Sequence, residues 1–474
     1  VTVTRIVLLA AAIFLVAAPA SAAESDRLRD FQQTVDEVLR SYYEAGAGRT
    51  FTESSRLAYG AYTTFAYYGT DDILSNTRLF GEIDAKFWLH AEARGHEFYG
   101  RARLLYDNFD EDDPLPGQKD GFTDPIFDRY WYRFDYRRDE RAESGFDPGW
   151  NWWVQAGRQY VEWLSGLALS DTLYAARAGL ERGSFTVQAL VALTPDSFVD
   201  FDGSRPGYDS DTSRFFWGFA AECRALRRHR PYVYFLAQDD HNDQPFPPGG
   251  PEYFYESRYV GVGSTGEIVT GTWLYRVELV YEFGESIANL LGPLPQPNDD
   301  IRAWAGRFYV AYMPARARET LGLRVEAEVL LGSGDDDRGA ATTTAGGNTA
   351  GTSDRSFIAF GYVNTGLVLA PELANLISVR VTGSAFPLRG RGAFDKMRVW
   401  ISGFVFAKQD DGAPVSVATL PGEGYLGSEI DIGVDWILAN DVALNLQYGI
   451  FLPGDAFADS DALHFFYVGI SYGF

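Results

Sequence analysis

Residues 78 to 94 alternate without a break. Leu79, Gly81, Ile83, Ala85, Phe87, Leu89, Ala91 and Ala93 fall on one face of a strand, with Arg78, Glu82, Asp84, Lys86, His90, Glu92 and Arg94 on the other. No sheet in water needs so long a two-faced strand. The pattern recurs. Phe98, Gly100, Ala102 and Leu104 oppose Arg101, Arg103 and Asp107; Tyr130, Tyr132 and Phe134 oppose Arg129, Arg133 and Asp135. Tyr275, Val277, Leu279, Tyr281 and Phe283 oppose Arg276, Glu278 and Glu282, and Leu323, Val325, Ala327 and Val329 oppose Arg324, Glu326 and Glu328. In lipid the apolar face must point outward and the ionic face must line an interior, and strands cross a bilayer only when they close on themselves.

Both ends of the sequence fit that reading. From His464 to Phe474 the residues Phe466, Val468, Ile470, Tyr472 and Phe474 share one face, and Phe465, Tyr467, Gly469, Ser471 and Gly473 the other. An apolar last strand leaves a sticky sheet edge unless it closes a barrel, and its final Phe with the Tyr two before it resembles the closing strand of bacterial outer-membrane barrels. At the other end, Arg5, the apolar stretch Ile6 to Ala18 and Pro19-Ala20-Ser21-Ala22 predict a secretory signal peptide over 1–22, with the mature chain starting near Ala23. Its apolar core is far short of the ~20 residues a membrane helix needs. No later run is long and charge-free enough to be one, so the chain must cross as strands.

Composition enters where it discriminates. Aromatics make up 15% of the 474 residues while mean hydropathy is only −0.18, the mixture expected when each lipid-facing residue is balanced by a polar lumenal one. The lone Cys223 excludes a disulfide framework. Net charge is −24, but the acidic clusters Asp110-Glu111-Asp112-Asp113, Asp239-Asp240, Asp335-Asp336-Asp337 and Asp410-Asp411 lie between strands, as solvated loops do. Of 41 basic residues, Lys86, Lys119, Lys396 and Lys408 are the lysines, so 37 are arginines, many inside strands.

Counting alternating segments gives about nineteen strands, whereas single-chain bacterial barrels have an even number. Tight connections are expected near Gly95, Gly183, Ala315, Pro371 and Asn440, and long ones at 108–127, 195–212, 240–254, 285–300 and 333–354. These keep phase if Lys396 to Lys408 belongs to a long extracellular excursion over 387–425. The expected fold is then all-β: a transmembrane antiparallel up-and-down barrel of about 18 strands over 51–474. Ahead of it, 23–50 forms a periplasmic segment with a short N-terminal helix over 25–44, whose stripe is Leu28, Phe31, Val35, Val38, Leu39 and Tyr42. Plug, docking element, partner-binding helix and simple lead-in all stay open for it. The Gly-, Ala- and Thr-rich segment 339–353 reads as a loop.

Gly157-Arg158-Gln159 after the Trp-rich strand start at Trp150, Gly332-Ser-Gly334-Asp335 opening a long loop, Gly427-Ser-Glu429-Ile-Asp431-Ile-Gly433, and Gly449-Ile-Phe451-Leu-Pro453-Gly454-Asp455 come in the order that resembles the alginate-export porins of the bacterial outer membrane. The resemblance implies a monomeric channel in which an anionic polysaccharide crosses passively along an arginine-lined lumen. Two features depart from it: Leu452 stands where a second aromatic is often found, and the inward faces carry nearly as many carboxylates as guanidiniums.

The lumen candidates are Arg101, Arg103, Arg129, Arg133, Arg158, Arg177, Arg276, Arg324 and Arg380, with Glu82, Asp84, Glu92, Glu278, Glu326, Glu429 and Asp431 as acidic counter-set. Arg158, Glu429 and Asp431 lie in the matched motifs, and the rest follow from strand phase. A planar, permanently charged guanidinium suits uronate groups moving from site to site; cross-wall pairing that merely stiffens the barrel is the competing use of the same residues. No catalytic triad, metal-ligand spacing or phosphate loop is present in the sequence, so no enzyme activity and no cofactor are expected. Expected partners are outer-membrane lipid and lipopolysaccharide and an anionic saccharide or organic anion. No nucleic-acid partner is expected, and a periplasmic protein stays open. A general porin of low selectivity is the alternative, with a barrel enzyme or plugged scaffold behind it.

Overall fold

The computed structural model describes residues 28–29, 31–44, 49–52, 55–73, 76–109, 120–195, 212–242, 254–287, 298–338, 348–361 and 363–473. The expected leader 1–22 and the acidic run Asp110 to Asp113 lie outside these residues. The wall is a closed 18-strand antiparallel barrel. Its first six strands are β1 (Ser55–Asp71), β2 (Thr77–Ala93), β3 (His96–Phe109), β4 (Ile126–Asp135), β5 (Trp150–Glu162) and β6 (Leu169–Arg182). Then come β7 (Phe185–Leu193), β8 (Arg214–Cys223), β9 (His229–Asp240), β10 (Tyr255–Val269), β11 (Trp273–Ile287) and β12 (Asn298–Tyr312). The wall ends with β13 (Arg324–Gly332), β14 (Leu376–Ala385), β15 (Met397–Lys408), β16 (Tyr425–Ala439), β17 (Val442–Pro453) and β18 (Leu463–Gly473). Each strand pairs with the next, and β18 returns to β1 with Tyr62 opposite Gly473 and Thr70 opposite Phe465, so no edge stays open.

The two faces separate as the alternation requires. On β2, Ile83, Phe87 and Leu89 are exposed on the outside while Glu82, Asp84, Lys86 and Trp88 are buried within. On β18, Val468, Ile470 and Tyr472 face out. Each large apolar side chain moved from water into hydrocarbon contributes about 1.5–3 kcal/mol. Repeated around the wall, that fixes register, because a one-residue slip would turn every charge outward.

One strand assignment made from phase is corrected. Residues 397–408 do not form an extracellular excursion: they are β15, paired along its length to β14 (Val381 opposite Gly403) and β16 (Ile401 opposite Ile432). The surplus segment is the one ending at Pro371, which forms no tight turn. It belongs to the connection between β13 and β14, whose only strand among the described residues is Phe360–Gly361. Phe357, Ile358, Phe360, Val368 and Leu369 are buried, so the segment is apolar enough to imitate a wall strand while it fills the lumen instead.

A wall hairpin also turns inward. β5 stays paired to β4 only as far as Arg158 opposite Tyr130, and β6 to β7 only as far as Tyr174 opposite Leu193, whereas β5 and β6 remain paired up to Glu162 opposite Ser170. The hairpin tip therefore leaves the wall. Gly157 makes the bend, with φ +138°, and a Cβ there would collide with the Tyr130 carbonyl. Beyond it, Trp163, Leu167, Ala168 and Leu169 are buried against Phe216, Phe357 and Phe360, and Phe360–Gly361 adds in parallel to β6 at Leu169–Ser170.

The N-terminal helix α1 (residues 31–43) lies inside the barrel rather than beneath it. Phe31 packs on Tyr68, Phe465 and Tyr467, and Leu28 is fully buried in the same cluster. At its other end Tyr43 donates to the Ser471 carbonyl at 2.9 Å and Tyr42 to that of Asn440 at 3.1 Å. Two further helices, α2 (Tyr136–Ser144) and α3 (Ala315–Leu321), sit in connections at the end of the barrel where turns are short and where β1 begins and β18 ends. Short turns mark that end as periplasmic.

Candidate functional site

Among the described residues, three main groups of ionic residues stand in the lumen, their wall members placed by strand phase. The first surrounds α1. Asp36 accepts from Lys86 on β2 at 2.9 Å and from Arg101 on β3 at 2.8 Å, and lies 3.4 Å from Arg129 on β4. Arg129 also pairs with Glu37, Arg101 with Asp128, and Lys86 with Asp84 at 2.5 Å. Arg103 reaches Asp84 at 3.0 Å, while Glu82 accepts from Gln32 of α1 at 2.6 Å. Burial alone would raise the Asp36 carboxyl, but Lys86, Arg101 and Arg129 around it hold it well below the usual carboxylate range.

The second group opens at the periplasmic mouth on the opposite side. A cavity of about 870 Å³ is lined by Arg227, Arg228, Arg230, Arg276, Arg307, Arg324 and Arg380, with Glu267 and Glu326 as its carboxylates. Arg307 and Arg380 share Glu328 at 2.6 and 2.5 Å, and Arg324 pairs with Glu326. Arg227, Arg228, Arg230 and Arg276 have no carboxylate partner among the described residues. Glu326 and Arg380 also line a cavity of about 240 Å³ beside α1, which Asp431 and Val38 border, so the two spaces adjoin. Arg133 and Arg177 form a smaller pair, with guanidiniums 4.6 and 5.8 Å from the Trp153 ring; each such contact contributes about 0.5–2 kcal/mol.

The third group clamps the inward loop. Glu429 on β16 accepts from the backbone N–H groups of Leu367, Val368 and Leu369 at 2.6, 2.9 and 2.9 Å. Across the barrel, Glu282 on β11 accepts from Ile358 N at 3.0 Å and from Tyr255 and Tyr259. Glu278 accepts from Tyr232 and from Tyr234 at 2.9 Å. The hairpin tip spans the lumen: the Ser165 carbonyl accepts from Arg307 at 3.1 Å.

The residues expected from sequence therefore divide. Arg101, Arg103, Arg129, Arg133, Arg177, Arg276, Arg324 and Arg380 face inward, as do Glu82, Asp84, Glu278, Glu326, Glu429 and Asp431. Glu92 sits at the mouth, 2.9 Å from Arg138 of α2. Arg158 is elsewhere: it shares the outer face with its cross-strand neighbours Tyr130 and Tyr174, 5.9 Å from the Tyr174 ring. It is the last wall residue before the hairpin leaves, so its motif marks a bend and not a lumenal charge. Glu429 binds backbone N–H groups rather than arginines. Sequence reasoning missed Lys86, Arg307, Glu282, Glu328 and Asp36 as site members, and also Arg227, Arg228 and Arg230. The last three had a visible signal, a run of four arginines from Arg224 to Arg230 at a tight turn.

A closed barrel of this size with a charged lumen defines an outer-membrane channel. The sequence profile of the alginate-export family matches residues 152–468, more than half of the chain, and the chain belongs to that family. No curated protein is a significant relative. Solved structures with the same fold include three from Pseudomonas aeruginosa. OccK8 (OprE) is 10% identical, with 90% of this chain and 99% of that one covered and a TM-score of 0.54. OccK5 (OpdH) is 9% identical over 90% and 99%, TM-score 0.52. OpdK, solved with vanillate, is 12% identical over 90% and 100%, TM-score 0.51.

Proposed function

We propose that this channel passes an anionic saccharide of the uronate type, or small organic anions, along its lumenal arginines. The observation that carries this is the periplasmic basin, where seven arginines face two carboxylates around one cavity. A low-dielectric tube focuses such an excess and draws anions toward it. Arginine's fork fits a carboxylate, and several shallow sites in series let the ion leave again. Membership of the alginate-export family and the vanillate bound by OpdK, itself an organic anion, favour the same chemical class.

The test is block of the KCl current through the purified protein in a planar bilayer. A hexamer of mannuronate added on the periplasmic side is expected to reduce the current in a concentration-dependent way, and maltohexaose, neutral and of the same length, is not. Equal block by the two, or none by either, overturns the reading in favour of a low-selectivity porin.

A further inference from the structure

We propose that Lys86, Arg101 and Arg129 form a carboxylate-binding subsite for the transported anion, which Asp36 of α1 occupies in the resting channel as an internal stand-in. The inference rests on the anion-channel reading and names where in the lumen, and in competition with what, the anion is held.

The geometry is that of a binding site and not of a wall brace. Cross-wall pairs join neighbouring strands to each other, as Arg103 does with Asp84 and Arg380 with Glu328. Here cations from three successive strands, β2, β3 and β4, converge on a single carboxylate carried by a separate element. Arg101 meets both oxygens of Asp36, through Nη1 at 3.2 Å and Nη2 at 2.8 Å, the two-pronged contact by which guanidinium recognises carboxylate. Tyr62 adds a hydroxyl 3.3 Å from Asp36 Oδ1 and itself accepts from Arg101 at 3.0 Å.

Ion pairing says what happens if the helix leaves. On the wall Lys86 and Arg103 pair with Asp84 and Arg101 with Asp128, whereas both carboxylates that Arg129 meets, Asp36 and Glu37, belong to α1. Without α1, Arg129 would lose both of those carboxylates and Lys86 and Arg101 would each lose one, leaving convergent fixed donors for a carboxylate. The helix is anchored below by the Tyr42 and Tyr43 hydroxyls and above by Phe31. Its other side, with Thr34 and Val38 exposed, borders an open cavity, so there is space for a saccharide to come alongside. A passing uronate would offer those cations what Asp36 offers, and binding there would compete with helix docking.

The experiment uses the full mature chain in bilayers and compares wild type, Asp36→Asn, and Asp36→Asn with Arg101→Gln, each checked for a closed barrel by heat-modifiable gel mobility. With Asp36 neutralised, hexamannuronate is expected to half-block the current at a concentration about tenfold lower than in wild type, and the added Arg101→Gln to remove that gain. An unchanged or weaker block in Asp36→Asn, or a gain that survives Arg101→Gln, overturns the subsite. A second readout does not need Asp36 replaced: a spin label on Val38→Cys, with Cys223→Ser, becomes more mobile as hexamannuronate is added if the anion displaces Asp36. An immobile label at saturating anion overturns the proposal. If wild type and variants prefer anions while these responses are absent, only the subsite fails; if none prefers anions, the channel reading fails with it.

Discussion

Asp36 of α1 and Glu44, in the turn that follows it, respond to pH in opposite ways. Asp36 is held below the ordinary carboxylate range, so its contribution to docking is present above that range and lost only in strong acid. Burial of Glu44, against the lowering pull of Arg101, the Tyr99 hydroxyl and Arg40, pushes its carboxyl up to about 7. The docked state thus binds a proton that the undocked one releases, so docking is favoured below the ordinary range and weakens as pH rises through about 7. A spin label at Val38→Cys, with Cys223→Ser, should therefore grow more mobile from pH 5 to pH 8, and Glu44→Gln should flatten the response. A label less mobile at pH 8 than at pH 5 would refute this. Arg133 and Arg177, which flank Trp153, make the second prediction at this scale: Arg133→Glu with Arg177→Glu lowers anion preference in reversal potentials, and unchanged potentials would mean that these arginines only brace the wall. Most inward charges were legible because a strand's period is two. Asp36 was not, because nothing in a helix stripe says what its polar side will meet.

Among elements, the informative ones are those that leave the wall. The hairpin needs the positive φ of Gly157; a β-branched residue there costs about 1–3 kcal/mol of backbone strain and also meets the Tyr130 carbonyl. Gly157→Val is expected to lower the denaturation midpoint of the folded barrel, and an unaltered midpoint would argue that the bend lies elsewhere. Glu429 holds the inward loop by three backbone N–H groups. Hydrogen bonds to a charged acceptor contribute about 1.5–3 kcal/mol each, so Glu429→Gln should loosen the loop and raise single-channel conductance; unchanged conductance would place the narrowest point away from residues 367–369. These elements also explain the miscount. Ile358, Phe360, Val368 and Leu369 are as apolar as a membrane strand because they pack on Phe216, Leu376 and Phe451, and alternation cannot tell an oily lumenal filling from an oily outer belt. The eighteen-strand total was legible from parity and turn lengths. Which segment to leave out was not.

At the scale of the whole molecule, the barrel is a wall with a filled interior, and on the proposed reading selectivity comes from what the filling leaves open. The helix, the hairpin and the inward loop crowd the lumen, while the basin of Arg227, Arg228, Arg230, Arg276 and Arg324 stays open at the periplasmic mouth. On the proposed reading a chain with an overall charge of −24 still prefers anions, because Asp335 to Asp337 and Asp410–Asp411 lie in connections, Asp239 and Asp240, which end β9 and not a loop as expected, are paired with Arg258 and Arg214, and arginines line the way in. The most direct measurement is the zero-current potential across a planar bilayer holding the purified protein in a tenfold KCl gradient. The account predicts a potential displaced toward the chloride equilibrium value, and a smaller displacement when Arg228 and Arg276 are changed to Glu. A potential displaced toward the potassium value, or a bilayer that stays silent, would contradict it.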